Sequence, residues 1–544
     1  MRTDFIKIYK SVHTWTGILS GMALFIAFYA GALTVFKEPL ARWVAPPSIS
    51  TPVTLAEAPA LISRTLAARP AAARDFALNL QLDEATRQLQ WQERTPGQDD
   101  HDTLGGRHFS ASLDGSGAAH IEETQPSQLA EFIDILHRVV GLPFDNDPSR
   151  WLMGLICTLY ALALVSGVVV LLPTLVKDLF ALRVGKNLKR MWLDAHNVVG
   201  LFSLPFHIVM AITAVVFAYH DDIYALQNKY LHDGQLAKAF SPRTPPKQAA
   251  PRDPANMLPP LELLARARQI APEFKPSALQ YVNVSGPRAM VRIWGHDAGA
   301  PSPRAMGGFV ALDPYSGKVM SRDFLPGQQS VANLTLASFF ALHFATFGGD
   351  SVRWMYFLLA LAGAWLFYSG NLLWIESRRK KQRSGEALPA QRRDTEWLAA
   401  GTLGVCLGCV SGISLSIVAG KWLYGHVADL NAWHWYVYYA VFFASIAWAF
   451  ARGAARAAAQ LLWLAAAATL CIPASSLLGW ALPALGLWAN TSAAALGVDA
   501  TALVGALCFM WMARATARRV AQGTSASVWS ATSTAKAAQS QAIV

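Results

Sequence analysis

Charge is scarce in this sequence. Only 15% of its 544 residues are Asp, Glu, Lys or Arg, against about a quarter in soluble domains. That shortage, beside 53% hydrophobic residues, excludes an ordinary soluble enzyme, and the apolar surplus excludes a disordered chain. Cysteine is scarce too. All five (Cys157, Cys406, Cys409, Cys471 and Cys508) fall inside apolar runs, so no disulfide framework is expected. Cys406 and Cys409 form a C-x-x-C, but within GVCLGCVSGI, where small buried helix residues are the expected role. No G-x-G-x-x-G turn of a βαβ unit is present, which argues against a built-in Rossmann site for NADPH or flavin. The net charge of +11 does not point to nucleic acid, because the basic residues bunch at the ends of apolar runs.

What the chain has in plenty is lipid-length apolar sequence. About 20 such residues cross a bilayer as a helix. Eight runs qualify: Val12–Phe36, Trp151–Leu172, Val198–Tyr219, Trp354–Ile375, Trp397–Gly420, Trp433–Phe450, Ala457–Leu482 and Leu496–Ala513. The fold class is therefore a polytopic α-helical membrane protein, with membrane lipid as its surroundings. The first run is too long for a signal-peptide core and reads as an anchor. Basic clusters lie at Arg2, Lys7 and Lys10, at Lys177, Arg183, Lys186, Lys189 and Arg190, and between Arg378 and Arg393. Others are Arg452 with Arg456, and Arg514, Arg518 and Arg519. All fall on one side if the N-terminus is cytoplasmic. Two polar segments, roughly 40–135 and 220–340, then lie outside. Each opens with an amphipathic helix and continues with alternating, turn-punctuated strands, which predicts two small α+β lobes. The tail at 520–544 reads as disordered.

An internal repeat carries the chemistry. His13-Thr-Trp-Thr-Gly17 matches His196-Asn-Val-Val-Gly200, and Leu113-Asp-Gly-Ser-Gly117 matches Leu312-Asp-Pro-Tyr-Ser-Gly317. Leu136-His137 followed by Arg150-Trp151 matches Leu342-His343 followed by Arg353-Trp354. The expected domains are residues 1–172 and 190–375 as two parallel in–out–in repeats, and 397–519 as a four-helix extension. Parallel repeats are related by an axis along the membrane normal. That axis sets His13 opposite His196 near one face and His137 opposite His343 near the other. Imidazoles facing each other suit the two axial positions of a haem iron. Gly17, Gly21 and Gly200 would let a porphyrin or a helix approach, and Arg150 and Arg353 could neutralise propionates.

His207, 11 residues beyond His196 and without a repeat counterpart, is expected near mid-bilayer. It could ligate a second haem, relay protons or bond a neighbouring helix. His220 reads as a cap or surface residue, His426 and His434 as interfacial. His101, His108, His120, His232 and His296 lack metal-ligand spacing.

The opening HTWTGILSGMALFIAFYAGALTVF, the LDPYSGKV signature and the Leu-His…Arg-Trp elements resemble the PepSY-associated transmembrane family. Within it, the chain is similar to inner-membrane siderophore-iron reductases and iron-regulated membrane proteins of Gram-negative bacteria. The resemblance covers residues 1 to about 375. It implies four core helices, two periplasmic PepSY-type lobes, and two b-type haems passing electrons outward to ferric siderophores. By position it implies His13, His196, His137 and His343 as ligands, with His207 as a further candidate. Electrons would come from a quinol or a separate reductase. Spans five to eight extend past the resemblance and receive no role. Rival classes are a non-enzymatic regulator of a periplasmic partner and a proton-coupled siderophore transporter.

Overall fold

The computed structural model describes residues 3–47, 51–94, 106–143, 147–175, 188–235, 251–302, 307–380, 389–522 and 527–530. Lys177, Arg183, Lys186, Lys381, Arg383, His101 and most of the 520–544 tail lie outside the described residues, as does the side chain of Arg150. In chain order the longer helices begin with α1 (Thr3–Thr34), α2 (Lys37–Val44), α3 (Ala58–Ala68), α4 (Leu129–Arg138) and α5 (Asp147–Leu171). They continue with α6 (Leu188–Phe202), α7 (Leu204–Ala218), α8 (His220–Tyr230), α9 (Pro260–Ile270) and α10 (Val331–Phe344). The last five are α11 (Gly349–Ser377), α12 (Arg393–Trp422), α13 (Leu430–Arg452), α14 (Ala454–Ala481) and α15 (Ala493–Gln522). The chain forms two compact units, Met1–Val44 with Ser127–Ala218 and Met355–Val544, and Ala45–Pro126 with Tyr219–Trp354.

The first unit is helical. Among the described residues six helices are long and apolar enough to cross a membrane: α1, α5, α11, α12, α14 and α15, of which α11 begins in the second unit. The pair α6–α7 makes a seventh if counted as one span. Each of the eight runs read from the sequence is thus helical, with two differences. The third run is not straight but bends by 69° between Phe202 and Leu204. Pro205, second in α7, lacks an N–H and its ring crowds the carbonyl four residues back. The sixth run is the 23-residue α13, and its Trp433, Trp435, Tyr436, Tyr438 and Tyr439 leave it less apolar than the six.

Small residues set the packing of α12. Cβ atoms added at Gly404, Gly408 and Gly412 would lie 2.7, 3.0 and 2.9 Å from Ile446, Phe442 and Tyr438 of α13, so backbone meets helix directly. Cys406 and Cys409 are free thiols, buried in this core beside Val410 and Tyr438. The extension is also tied to α2. Lys421, 2% exposed, donates to Ser476 Oγ at 3.3 Å and to Trp488 O at 3.2 Å. Its Nζ also lies 3.7 Å from the ring centroid of Trp43. Asp499 accepts from Trp43 Nε1 at 2.8 Å and Ser476 Oγ at 3.1 Å. A buried cation is tolerable when paired and hydrogen-bonded in this way.

The second unit is α+β. Its strands are β1 (Asp75–Asn79), β2 (Leu89–Glu93), β3 (Arg107–Leu113), β4 (Ala119–Thr124), β5 (Lys275–Val282), β6 (Met290–His296), β7 (Gly308–Leu312) and β8 (Val319–Ser321). The two predicted lobes are not separate bodies. Their four-stranded meanders join edge to edge through antiparallel β1–β5 pairing, giving one sheet in the order β4-β3-β2-β1-β5-β6-β7-β8. Pairing removes one exposed edge from each meander. Leu61, Ile62 and Leu66 of α3 and Leu263 and Ala267 of α9 share a core with Phe76, Leu78, Leu279, Tyr281 and Ile293 of the strands. The repeated Leu-Asp signature proves to be turn chemistry. Asp114 Oδ1 accepts from the Ser116 and Ala118 amides, and Asp313 Oδ1 from those of Tyr315 and Ser316. Gly117 and Gly317 take the left-handed φ values of 80° and 67° that each turn needs.

Candidate functional site

The site grows from histidines whose rings are fixed by neighbouring helices. About three turns beyond the start of α1, His13 turns toward α5, where its Nδ1 lies 2.8 Å from Ala163 O. A carbonyl only accepts, so in the neutral ring Nδ1 carries the proton and Nε2 the lone pair. A Cβ at Gly167 would lie 2.9 Å from His13 Cε1, so only glycine leaves the ring its place. His196 of α6 meets α11 in the same manner. Its Nδ1 lies 2.9 Å from Ser369 Oγ, and that hydroxyl donates to Leu366 O at 3.0 Å. Ser369 therefore accepts from Nδ1–H, and Nε2 again holds the lone pair. A Cβ at Gly370 would lie 3.8 Å from the His196 ring.

The two rings lie with centroids 6.3 Å apart and planes at 74°. Taking off the radius of each ring leaves room for about two metal–nitrogen bonds of roughly 2.0 Å. A Cβ on Gly17, one turn beyond His13, would meet nothing within 4 Å, so space lies open there. Gly21 and Gly200 serve helix contact instead, toward Asn371 and Leu366 of α11.

His207 occupies a different level. Its ring lies 5.6 Å from that of Phe28, 15 residues or about 22 Å of helix rise beyond His13 on α1. The 69° bend between Phe202 and Leu204 lies between His196 and His207. His207 is 3% exposed and packed among Phe28, Tyr160 and Phe206. Tyr160 OH lies 2.6 Å from its Nδ1 and 3.1 Å from its carbonyl. One arrangement satisfies all three groups: the hydroxyl donates to the carbonyl and accepts from Nδ1–H. Nε2 remains buried with no hydrogen-bond partner among the described residues.

His137 sits on α4, which the sequence suggested as the end of a lobe and which belongs to the helical unit. Its Nδ1 lies 2.7 Å from Ala27 O of α1. A Cβ at Gly31 would come 2.8 Å from that nitrogen. The extension grips α4 on both sides of this histidine. His434 Nε2 and Ser127 Oγ are 3.0 Å apart, Gln128 N–H donates to Asn431 Oδ1 at 2.9 Å, and Tyr439 OH donates to Gly141 O at 2.9 Å. Phe132 packs against His434, Trp435 and Tyr438 between them. His434 is fully buried, not interfacial as its place at a span end suggested. Asp134 and Glu131, on the remaining face of α4, pair with Lys37 and Arg138.

His343 and Arg353 belong to the second unit. His343 lies in the last turn of α10, its ring edge-on to Phe344 at 5.4 Å. Arg353 Nη1 is 3.8 Å from Asp350 Oδ1 in the first turns of α11.

Several residues that shape the site escaped the sequence reading: Ser369, Tyr160, Gly31, Gly167 and Gly363, where a Cβ would lie 3.0 Å from His207. One signal was available. Ser166-Gly167 in span two and Ser369-Gly370 in span four are the same doublet, each set against a repeated histidine. A search of curated proteins finds no match. A family model described as the PepSY-associated TM region matches residues 10–377. With two thirds of its length matched, the chain belongs to that family and is a multi-pass membrane protein.

Proposed function

We propose that this protein is an inner-membrane, haem-b-containing oxidoreductase that carries electrons outward to reduce ferric iron held by siderophores in the periplasm. The N-terminus is then cytoplasmic, the sheet unit periplasmic, and the two halves parallel repeats. One observation carries the reading. His13 and His196 stand 6.3 Å apart, each with Nδ1 occupied by a neighbouring helix and Nε2 left as a donor. Metal-bound histidines characteristically give their other N–H to a carbonyl or similar acceptor, which fixes tautomer and ring orientation. The donor set therefore fits a haem iron, and the open space beside Gly17 fits a ring larger than the histidines themselves.

Bound there, haem would supply one-electron redox chemistry at a potential set by ligand, hydrogen bonding and burial. The chain's own residues do the holding and tuning. Ala163 O and Ser369 Oγ orient the two imidazoles and raise their basicity. Gly167 and Gly370 keep the helix backbones close without displacing the rings. His137, anchored on Ala27 O, and His343 are the candidates for a second haem. His207, with its orphaned Nε2, is a further one. Reduction delivers one electron to Fe(III) and gives Fe(II), whose lower charge weakens the hold of hard oxygen ligands. The electron donor is a quinol or a separate reductase.

The test is the visible spectrum of the purified full chain before and after dithionite. Sharp α and β bands on reduction support the proposal. A colourless preparation from haem-replete cells would sink it and leave the regulator or transporter reading. In the coloured case His13→Ala or His196→Ala removes one haem, measured as a halved pyridine-haemochrome content, while the other haem remains.

A further inference from the structure

In the sheet unit, a cleft of about 450 Å³ opens where the two meanders meet. One wall is the turn of 3-10 helix Pro70–Arg74 before β1, and the other is the β5–β6 turn through Asn283, Ser285, Gly286, Pro287 and Arg288. The walls are pinned together. Asn283 N–H donates to Arg74 O at 2.8 Å and Val284 N–H to Ala73 O at 3.0 Å. Asn283 takes the left-handed φ of 49°, which Asn tolerates better than most residues. The volume falls in the range of small-molecule sites.

The charges in and around the cleft do not cancel. Arg74 and Arg288 line it, and no acidic residue does. The nearby acids are engaged elsewhere: Asp75 accepts from Gln280 Nε2 at 3.0 and 3.1 Å, and Asp313 pairs with Arg252 at 2.8 and 3.1 Å. Arg288 Nη2 is buried with no hydrogen-bond partner among the described residues. A buried, unpaired guanidinium N–H is costly, and the planar fork of Arg matches the oxygens of carboxylate and phosphate.

We propose that this cleft is a binding site for a small oxyanion bearing carboxylate or phosphate groups, gripped between Arg74 of the first meander and Arg288 of the second. The inference is independent of the haem reading. The oxyanion sits against the guanidiniums of Arg74 and Arg288 from the cleft side, and because it contacts both meanders it strengthens their junction.

The experiment uses the full chain in a neutral detergent. Calorimetric titration with citrate and with inorganic phosphate is done at constant ionic strength, so that screening does not masquerade as binding. Saturable 1:1 binding of at least one probe is expected. Arg288→Gln and Arg74→Gln should each weaken it roughly tenfold or more, the loss of one charged hydrogen bond or two. Arg64→Gln, which removes a guanidinium not lining the cleft, should leave it unchanged. Arg288→Gln is also expected to unfold no earlier than the parent when no anion is present. Should Arg288→Gln not fold, the exposed Arg74→Gln carries the test. A third arm replaces the solutes with nanodiscs containing phosphatidylglycerol. Protection from solute binding there, lost in Arg74→Gln, would identify a lipid headgroup as the source of the same chemistry. No binding of any probe, or equal binding by the parent and both cleft variants, overturns the proposal.

Discussion

A single atom separates the histidines of this protein from ordinary buried imidazoles. His13 and His137 each direct Nδ1 at a backbone carbonyl, and His196 directs it at a hydroxyl whose own proton is already given to Leu366 O. Each contact settles which nitrogen keeps its lone pair, so the chemistry is decided by the partner and not by the histidine alone. Ser369 gives the sharpest test because its removal leaves the ring in place. On the haem reading, Ser369→Ala keeps the full haem content. It raises the midpoint potential of one haem, since a ligand stripped of its Nδ1–H acceptor donates less to iron. Potentiometric titration checks it, and an unchanged potential would remove Ser369 from the tuning role. The sequence showed the histidines and their pairing. It marked Ser369 only through the Ser-Gly doublet shared with Ser166-Gly167, and gave no sign of Gly31, because a glycine in an apolar run has no distinctive spacing of its own.

Helices α12 to α15 extend beyond the family match, and the structure shows what they pack against. Through His434, Asn431 and Tyr439 they hold both ends of the helix that carries His137, and through Lys421 and Asp499 they hold Trp43 of α2. In the second contact Lys421 and Asp499 both hydrogen-bond Ser476 and touch Trp43 with no direct ion pair between them among the described residues, so the main cost of losing either is a buried polar group left without its partner. Lys421→Met would leave Asp499 its Trp43 and Ser476 donors but remove the nearby positive charge and the donor to Trp488 O, and should destabilise the helical unit by roughly 1–3 kcal/mol. The double variant Lys421→Met/Asp499→Asn should recover a large part of that loss. Thermal unfolding of the four proteins in one detergent measures the cycle. A double variant no better than Lys421→Met alone would show that the two charges are not coupled. The extension was visible in the sequence as four further apolar runs. Its task was not, because the contacts that define it join residues from 298 to 456 positions apart.

At the scale of the whole molecule, the two units have separate cores, one helical and one built on a sheet. Their stabilities should respond separately to acid. Partial burial works to raise the Asp313 pKa, but the Arg252 guanidinium and the amides of Ser316 and Tyr315 outweigh it and hold the carboxyl at about 2. A carboxyl depressed in the folded state stabilises fully above its unfolded value near 3.9. That stabilisation is lost as pH falls through the folded value. The sheet unit should therefore lose this contribution between about pH 4 and pH 2. Asp313→Asn should lower its unfolding temperature at neutral pH and flatten its decline across that window, without moving the transition of the helical unit. Calorimetry of the full chain from pH 7 to pH 2 is the measurement. A parallel decline in parent and variant would assign the acid limb to other groups.

The order of the helices, the α3 and α9 amphipathic segments, six of the eight strands and the repeated histidines were all legible in the sequence. Each is a local pattern, set by hydrophobic period or by a motif a few residues long. Strands β4 and β8 were missed, β4 because Ala-His-Ile-Glu-Glu-Thr carries a single large apolar residue and β8 because it has only three residues. Two features needed the folded chain: the joining of two lobes into one sheet, and the transfer of α4 from lobe to helix bundle. Each follows from which surfaces pack together. Edge pairing of β1 with β5, and the burial of Leu129, Phe132 and Leu136 of α4 against α12 and α13, depend on partners far away in sequence. Local periodicity specifies an element and its apolar face, but only long-range packing decides what that face meets.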